Sequence, residues 1–360
     1  MRLQRALPEL AALARCVRGA RRAYGVGVVS ALRRAREVRR DGAWTYDEAL
    51  AAGLLDPGCD AATRRALVSY SVLHAAQWRH NPLPLEPLTE NKLVCDRLLT
   101  ASGIPCPELF GTVGRDGGGS ARTGAPVSDR AAFARFLAED VPDEVVIKPV
   151  EGLYGLGVRI VRRLPGGRVD AGDGPVDPRT LYDDLVADAR FGLFLVQERL
   201  RNHPEVAALT GSDTLQTLRL CTFVRRDGSV HILVGLVKLA VGTGPADNYR
   251  SGETGNGVAD VDLADGRLGP LYVAAPSGAG FAATPVAPGT GRRVEGVRLP
   301  LFRESCALAR RAAPVFLPMR TVGFDIGLTP SGPVVVEANN YWGPPLTPMP
   351  AESRALLLAT

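Results

Sequence analysis

The chain has 360 residues, 46% hydrophobic and 22% charged, with 43 basic against 38 acidic side chains, which gives a net charge of +5. This is the composition of a folded soluble protein, long enough for a large core and two or more lobes. No apolar run approaches ~18 residues, which excludes a spanning helix, and no apolar segment with a small-residue cleavage site follows Met1, so no secretory signal is expected. Six cysteines stand singly at 16, 59, 95, 106, 221 and 306, and the four histidines show no ligand spacing with them. That pattern argues against a zinc site and fits a reducing cytoplasm.

Residues 1–88 read as an N-terminal helical region, with apolar residues recurring at helical spacing between arginines and no alternating run. Its basic stretch "RCVRGARRAYGVGVVSALRRAREVRR" fits either a solvated helix face or a face lying on an anionic surface. The "GVGVVS" within it has the glycines of a dinucleotide loop but follows helix-like sequence rather than a strand, so it is discounted. "NPLPLEPL" at 81–88 reads as a proline-rich linker. A helix then starts from a Thr89 cap, carries Leu93, Leu98 and Leu99 on one stripe, and stops at Gly103 before an extended Ile-Pro-Cys-Pro.

A Gly/Ser-rich loop (114–124) and a short helix (129–139) lead to the strand "EVVIKPV". That strand turns through "EGLYGLG" into a second one. A helix near 178–190 precedes the strand "LFLVQERL". The second half is richer in strands: a hairpin about Asp227-Gly228, a polar glycine-rich loop from Asp247, a helix near 299–313, and a hairpin over 321–340. The run Val334-Val335-Val336 predicts a strand buried on both faces. The fold class is α+β, divided as 1–88 helical, 89–198 first lobe and 199–360 second lobe.

Lysine occurs three times, at 92, 148 and 238, while arginine supplies the other 40 basic residues. A lysine kept in so arginine-rich a chain marks a place for a compact charge on a flexible stem, suited to a phosphate. Gly152, Gly155 and Gly157 follow Lys148 directly, and such glycines let backbone amides approach phosphate oxygens. The strand end Gln197-Glu198-Arg199-Leu200 has backbone groups able to read an adenine, with His203 and Glu205 as ribose candidates. Glu337 and Asn339 share one face of their strand, and the hairpin lays Asp325 beside them. Two carboxylates and an amide suit Mg²⁺. Taken singly, the glycines also read as an ordinary hairpin and the other two as strand ends.

Together, residues 89–345 resemble the ATP-grasp superfamily. The likeness rests on "NK" at Lys92, "VIKP" at Lys148, the glycine loop, "LVQERL", and the D…E-x-N set Asp325, Glu337 and Asn339. It implies two α+β lobes clasping ATP, with the glycine loop as lid. Lys238 in "LVKLA" and Arg219 in "TLRL" fall where that superfamily sets basic residues against the phosphates. "QERLRNHPEV", "TLQTLRLCTF" and "DNYRSGETGNGVADVDL" are most similar to its sugar-transfer-associated group, distantly related to α-L-glutamate ligases. Two departures stand out: there is no separate N-terminal α/β domain, and Gly252-Glu253 replaces an expected glycine pair.

The resemblance implies an ATP- and Mg²⁺-dependent (or Mn²⁺-dependent) ligase acting on a small-molecule, glycan or peptide carboxylate. Nucleic acid is not an expected partner, and a homodimer is compatible with the sequence. A small-molecule kinase and a nucleotide-binding regulator without turnover are the competing classes.

Overall fold

The computed structural model describes residues 2–152, 155–249 and 252–359, with the side chains of residues 2–7 and 116 outside that description. Leu153, Tyr154, Arg250 and Ser251 of the motifs above therefore lie outside the described residues. Helices α1 (Arg2–Tyr24), α2 (Val28–Asp41), α3 (Tyr46–Ala51) and α4 (Ala61–Ala66) open the chain. They share a small core of their own, with Cys16, Ala20, Ala31, Val38, Trp44, Leu54 and Leu55 buried. Thr45 and Glu48 form a capping box at the start of α3, satisfying backbone donors at both ends of that exchange.

Helix α5 (Tyr70–His80) behaves differently. Its Leu73 and Ala76 pack with Cys221, Phe223 and Trp342 of the C-terminal half and with α12 (Ala351–Leu358). Gln77 Nε2 donates to Trp342 O at 2.8 Å, and Asn81 Nδ2 to Thr321 O at 2.7 Å, both buried. The stretch read as a linker is instead folded, as a 3₁₀ turn (Leu83–Leu85) and a short helix α6 (Pro87–Glu90) in which Thr89 is buried. Prolines at the start of each piece are compatible with helix because their missing N–H is one no helical bond requires. The cap of the next helix, α7 (Lys92–Ala101), is therefore Asn91 rather than Thr89; its side chain accepts from Val94 N.

Two antiparallel sheets follow. The first contains β1 (Leu109–Gly114), β2 (Ser120–Ala121), β3 (Glu144–Pro149), β4 (Arg159–Arg163), β5 (Val169–Asp170), β6 (Pro175–Val176) and β7 (Leu193–Glu198), in the order β2-β1-β7-β3-β4-β5-β6. Helices α8 (Arg130–Glu139) and α9 (Pro178–Ala187) bury Phe133, Phe136, Leu181 and Leu185 against one face. The second contains β8 (Thr217–Val224), β9 (Val230–Leu239), β10 (Gly257–Val261), β11 (Leu268–Ala274), β12 (Phe281–Thr284), β13 (Thr321–Thr329) and β14 (Gly332–Asn339), in the order β12-β11-β10-β9-β8-β13-β14. Its covered face meets α11 (Phe302–Ala312) and α10 (Pro204–Thr210) over the largest core, which includes Leu218, Leu220, Val237, Phe324 and Ile326.

Two further details differ from the sequence reading. The polar stretch after Asp247 contains β10, whose alternation is too short to register. The valine run is not buried on both faces: β14 is an edge strand in which only Val335 of the three is fully buried.

Candidate functional site

A cleft lies between the exposed faces of the two sheets. Strand alternation decides what enters it. On β3, Val145 and Ile147 point into the core while Val146 and Lys148 line the cleft. On β9 and β13, buried Val237, Leu239, Phe324 and Ile326 alternate with the cleft-lining Lys238 and Asp325. Register then assembles a row: Leu236, Arg219, Asp325 and Glu337 are successive Cα partners across β9, β8, β13 and β14. Asn339 pairs with Gly323 one step along the same face. A register shift between Asp325 and Ile326 makes Val336 a bulge residue, so Val336 and Glu337 both line the cleft while Val335 stays in the core.

The charges are tightly arranged. Arg219 makes a bidentate pair with Asp325, Nε to Oδ1 and Nη2 to Oδ2, both at 2.7 Å. Lys238 Nζ lies 3.0 Å from Asp325 Oδ2 and 3.4 Å from Asp247 Oδ1. Asp247 also accepts from the backbone N and hydroxyl of Thr217, at 2.8 and 2.6 Å. Burial alone would raise the Asp325 carboxyl; the Arg219 and Lys238 charges outweigh it and hold Asp325 well below the carboxylate range. Burial by itself would lower Arg219, but Asp325 overrides it and keeps the guanidinium above its ordinary value. Asp247 goes the other way, because burial raises it more than Lys238 lowers it.

The two remaining lysines approach from the first lobe. Lys92 Nζ donates to Gly152 O at 2.7 Å and lies 3.1 Å from Glu337 Oε1. Its backbone N donates to Val150 O at 3.0 Å, which ties α7 to the end of β3. Lys148 has no carboxylate within ion-pair distance among the described residues. Burial pulls its ammonium below the ordinary lysine value; Glu337 opposes that and Lys92 reinforces it. A cation so placed is one that an anionic ligand would neutralise.

Of the three glycines, Gly152 and Gly155 line the cleft, while Gly157 packs behind it. At Gly157 (φ +75°) a Cβ would stand 2.7 Å from the Phe191 ring and 2.8 Å from Pro149 Cγ. At Gly155 (φ +72°) it would meet Ala246 Cβ and Asn248 Nδ2, both at 2.8 Å, so the loop of the first lobe rests directly on the segment beginning at Pro245.

Gln197, Glu198 and Leu200 all line the cleft. The Gln197 amide donates to Asp96 Oδ1 at 2.8 Å, and its buried Oε1 has no partner among the described residues. Arg199 is bound to Glu144 at 3.0 Å, and Glu144 also takes Arg162 and Arg201, which fixes the segment connecting the lobes to the start of β3. His203 and Glu205 are not brought to the cleft. His203 caps α10, accepting from Glu205 N through Nδ1, and Glu205 sits exposed in the first turn. Asp213 also lines the cleft, 3.9 Å from Arg199. Neither Asp213 nor Asp247 announces itself in the sequence: each opens or closes a polar loop, and only folding gives it a direction.

A model of the sugar-transfer associated ATP-grasp family matches residues 76–357. The chain belongs to that family. Helices α1–α4 precede the matched ATP-grasp region, which starts inside α5. Among solved structures it is similar to D-alanyl-alanine synthetase A from Vibrio cholerae (13% identity, 72% of this chain and 57% of that one, TM-score 0.39). It is also similar to phosphoribosylamine–glycine ligase from Thermotoga maritima (12%, 71% and 48%, 0.38). A third is a RimK domain ATP-grasp protein from Sphaerobacter thermophilus (17%, 71% and 60%, 0.31). This chain therefore spans less than two thirds of the length of each. No curated protein matches it.

Asp325, Glu337 and Asn339 supply oxygen donors of the kind a hard divalent cation takes, with the Asp325 oxygens held by Arg219 and Lys238 and Glu337 Oε1 3.1 Å from Lys92. Asp325 and Glu337 face each other across β13 and β14, and Asn339 donates its amide N–H to Gly323 O at 3.3 Å, leaving Oδ1 as an oxygen donor. Among the described residues no group of three or more His, Cys, Asp or Glu side chains assembles, so the protein brings two carboxylates and an amide. Oxygens from phosphate and water would have to complete the shell.

Proposed function

We propose that the chain is an ATP- and magnesium-dependent ligase that joins a carboxylate to an amine or thiol through an acyl phosphate. The observation that supports this best is the one cleft that Lys92, Lys148 and Lys238 line together with Asp325 and Glu337, with Arg219 bound to Asp325. Lys92, Lys148 and the amides of the Gly152–Gly157 loop hold the nucleotide phosphates. The backbone of Glu198–Leu200 and the unpaired oxygen of Gln197 receive the adenine, and Asp213 takes the ribose position first expected at His203 and Glu205. Asp325, Glu337 and Asn339 hold Mg²⁺, which when bound neutralises charge on the phosphates.

A substrate carboxylate oxygen attacks the γ-phosphorus and ADP departs with the electrons of the broken P–O bond. An amine nitrogen then attacks the acyl carbon, loses its proton, and the C–O bond breaks to release phosphate. The protein's part is positioning and charge: Arg219 and Lys238 face the oxygens on which negative charge accumulates. The glycine loop, resting against Ala246 and Asn248, keeps water from the acyl phosphate.

Hydroxylamine tests the chemistry. With ATP, Mg²⁺ and an accepted acid but no amine, it should intercept the acyl phosphate as a hydroxamate. A phosphorylated product that survives hydroxylamine would make the enzyme a kinase instead.

A further inference from the structure

The first 41 residues carry eleven arginines and three acidic side chains, and none of those described lines the cleft. Helix α2 turns Ala31, Ala35 and Val38 inward against α1. Its opposite stripe, Val29, Arg33, Arg36 and Arg40, is exposed and at helical spacing lies within about 60° of arc. Val29 is 81% exposed and Val28 44%. They sit just past the Gly25–Gly27 turn, where Arg21 and Arg22 end α1. The tip of the α1–α2 hairpin is thus two bare valines between arginines.

Much of the remaining charge on the hairpin is already paired. Arg15 binds Asp47, Arg39 binds Glu9, and Arg33 lies 3.6 Å from Glu37. Arg18, Arg21, Arg22, Arg36 and Arg40 are exposed, and among the described residues no acidic group stands within ion-pair distance of them. Tyr24, at the end of α1, donates its hydroxyl to Ala279 O at 3.3 Å, so the tip is fixed to the body of the second sheet.

We propose that this hairpin docks the protein on an anionic lipid bilayer, with Val28 and Val29 entering the headgroup boundary and Arg21, Arg22 and Arg36 meeting lipid phosphates. Arginines alone would suit any polyanion. A nucleic-acid backbone offers nothing to the valines, whereas a bilayer presents phosphate and an apolar boundary a few ångströms apart. Single exposed apolar residues are ordinary; adjacent valines framed by unpaired cations at a fixed tip are complementary to this surface.

Sedimentation of the full chain with vesicles tests it, using phosphatidylcholine alone and phosphatidylcholine mixed with phosphatidylglycerol. Binding should be at least roughly tenfold stronger on the anionic vesicles and weaken with added salt. Arg21→Glu with Arg22→Glu, and separately Val28→Asp with Val29→Asp, should each lower the bound fraction about tenfold without changing the melting temperature, since all four side chains are exposed. Val29→Trp should add emission that shifts to the blue on anionic vesicles only. No binding to anionic vesicles, or binding that the valine changes leave intact, overturns the proposal. Tight binding of double-stranded DNA with the same indifference to the valines would assign the face to a polyanion. None of these outcomes depends on the hydroxamate assay, so the two readings fail separately.

Discussion

Lys148 shows how far a single residue can be read. Its scarcity in an arginine-rich chain marks it before folding, and the structure shows a half-buried ammonium with no acidic partner at ion-pair distance among the described residues. A planar guanidinium cannot replace that compact charge, so Lys148→Arg should lower ADP release at least ~tenfold, about 1.4 kcal/mol in the barrier. Arg201, on the connecting segment, provides the control substitution, Arg201→Lys; equal activities in the two variants would show that Lys148 has no phosphate role. Asp325 is legible from its spacing to Glu337, but its pairing with Arg219 is not, because that depends on the register of β8 against β13. Asp325→Asn leaves the buried Lys238 and the half-buried Arg219 facing a neutral amide and should cost about 3–5 kcal/mol of stability near neutral pH. The folded carboxyl lies below its ordinary 3.8, so its contribution is present above that value and is lost as pH falls through the folded value. Urea midpoints of wild type and variant should therefore stay separated by a constant amount from about pH 6 to 9 and converge below about pH 4. A gap that widened in acid would contradict the pairing. His203 and Glu205 mark where sequence reading stops: "QERLRNHPE" shows polar residues after a strand but not that His203 turns aside to cap a helix.

Among the elements, the hairpins and long strands were legible because alternation and turn residues act locally. Helix α6 was obscured by prolines that also signal a linker, and β14 by a valine run that does not reveal an edge position. The glycine loop was visible as composition, but its reason for being glycine belongs to packing. Gly157→Ala combines a left-handed backbone with a clash against Phe191 and Pro149. Gly166, also left-handed (φ +77°), has open space where its Cβ would go. Chemical denaturation should show Gly166→Ala costing about 1 kcal/mol and Gly157→Ala about 1–2 kcal/mol more, with ADP release reduced only in the second. Equal losses of stability and activity would mean that the loop's packing on Phe191 does not position the lid.

At the scale of the whole molecule, two antiparallel sheets face each other so that lysines of the first lobe meet carboxylates of the second. Lys92 joins the lobes directly, through Gly152 O on one side and Glu337 on the other. No helix of the described residues is long and apolar enough to cross a membrane. Helices α1–α4 cover a core of their own, separate from those beneath the first and second sheets. In the proposed function, phosphates of ATP bridge the two sheet lobes with a divalent cation on the Asp325–Glu337 face. Calorimetric titration of ATP into wild type and Glu337→Ala, each with and without Mg²⁺, tests it most directly. Binding by the wild type should require the metal and fall at least ~tenfold in the variant, about 1.4 kcal/mol. Equal, metal-independent binding by both proteins would contradict it.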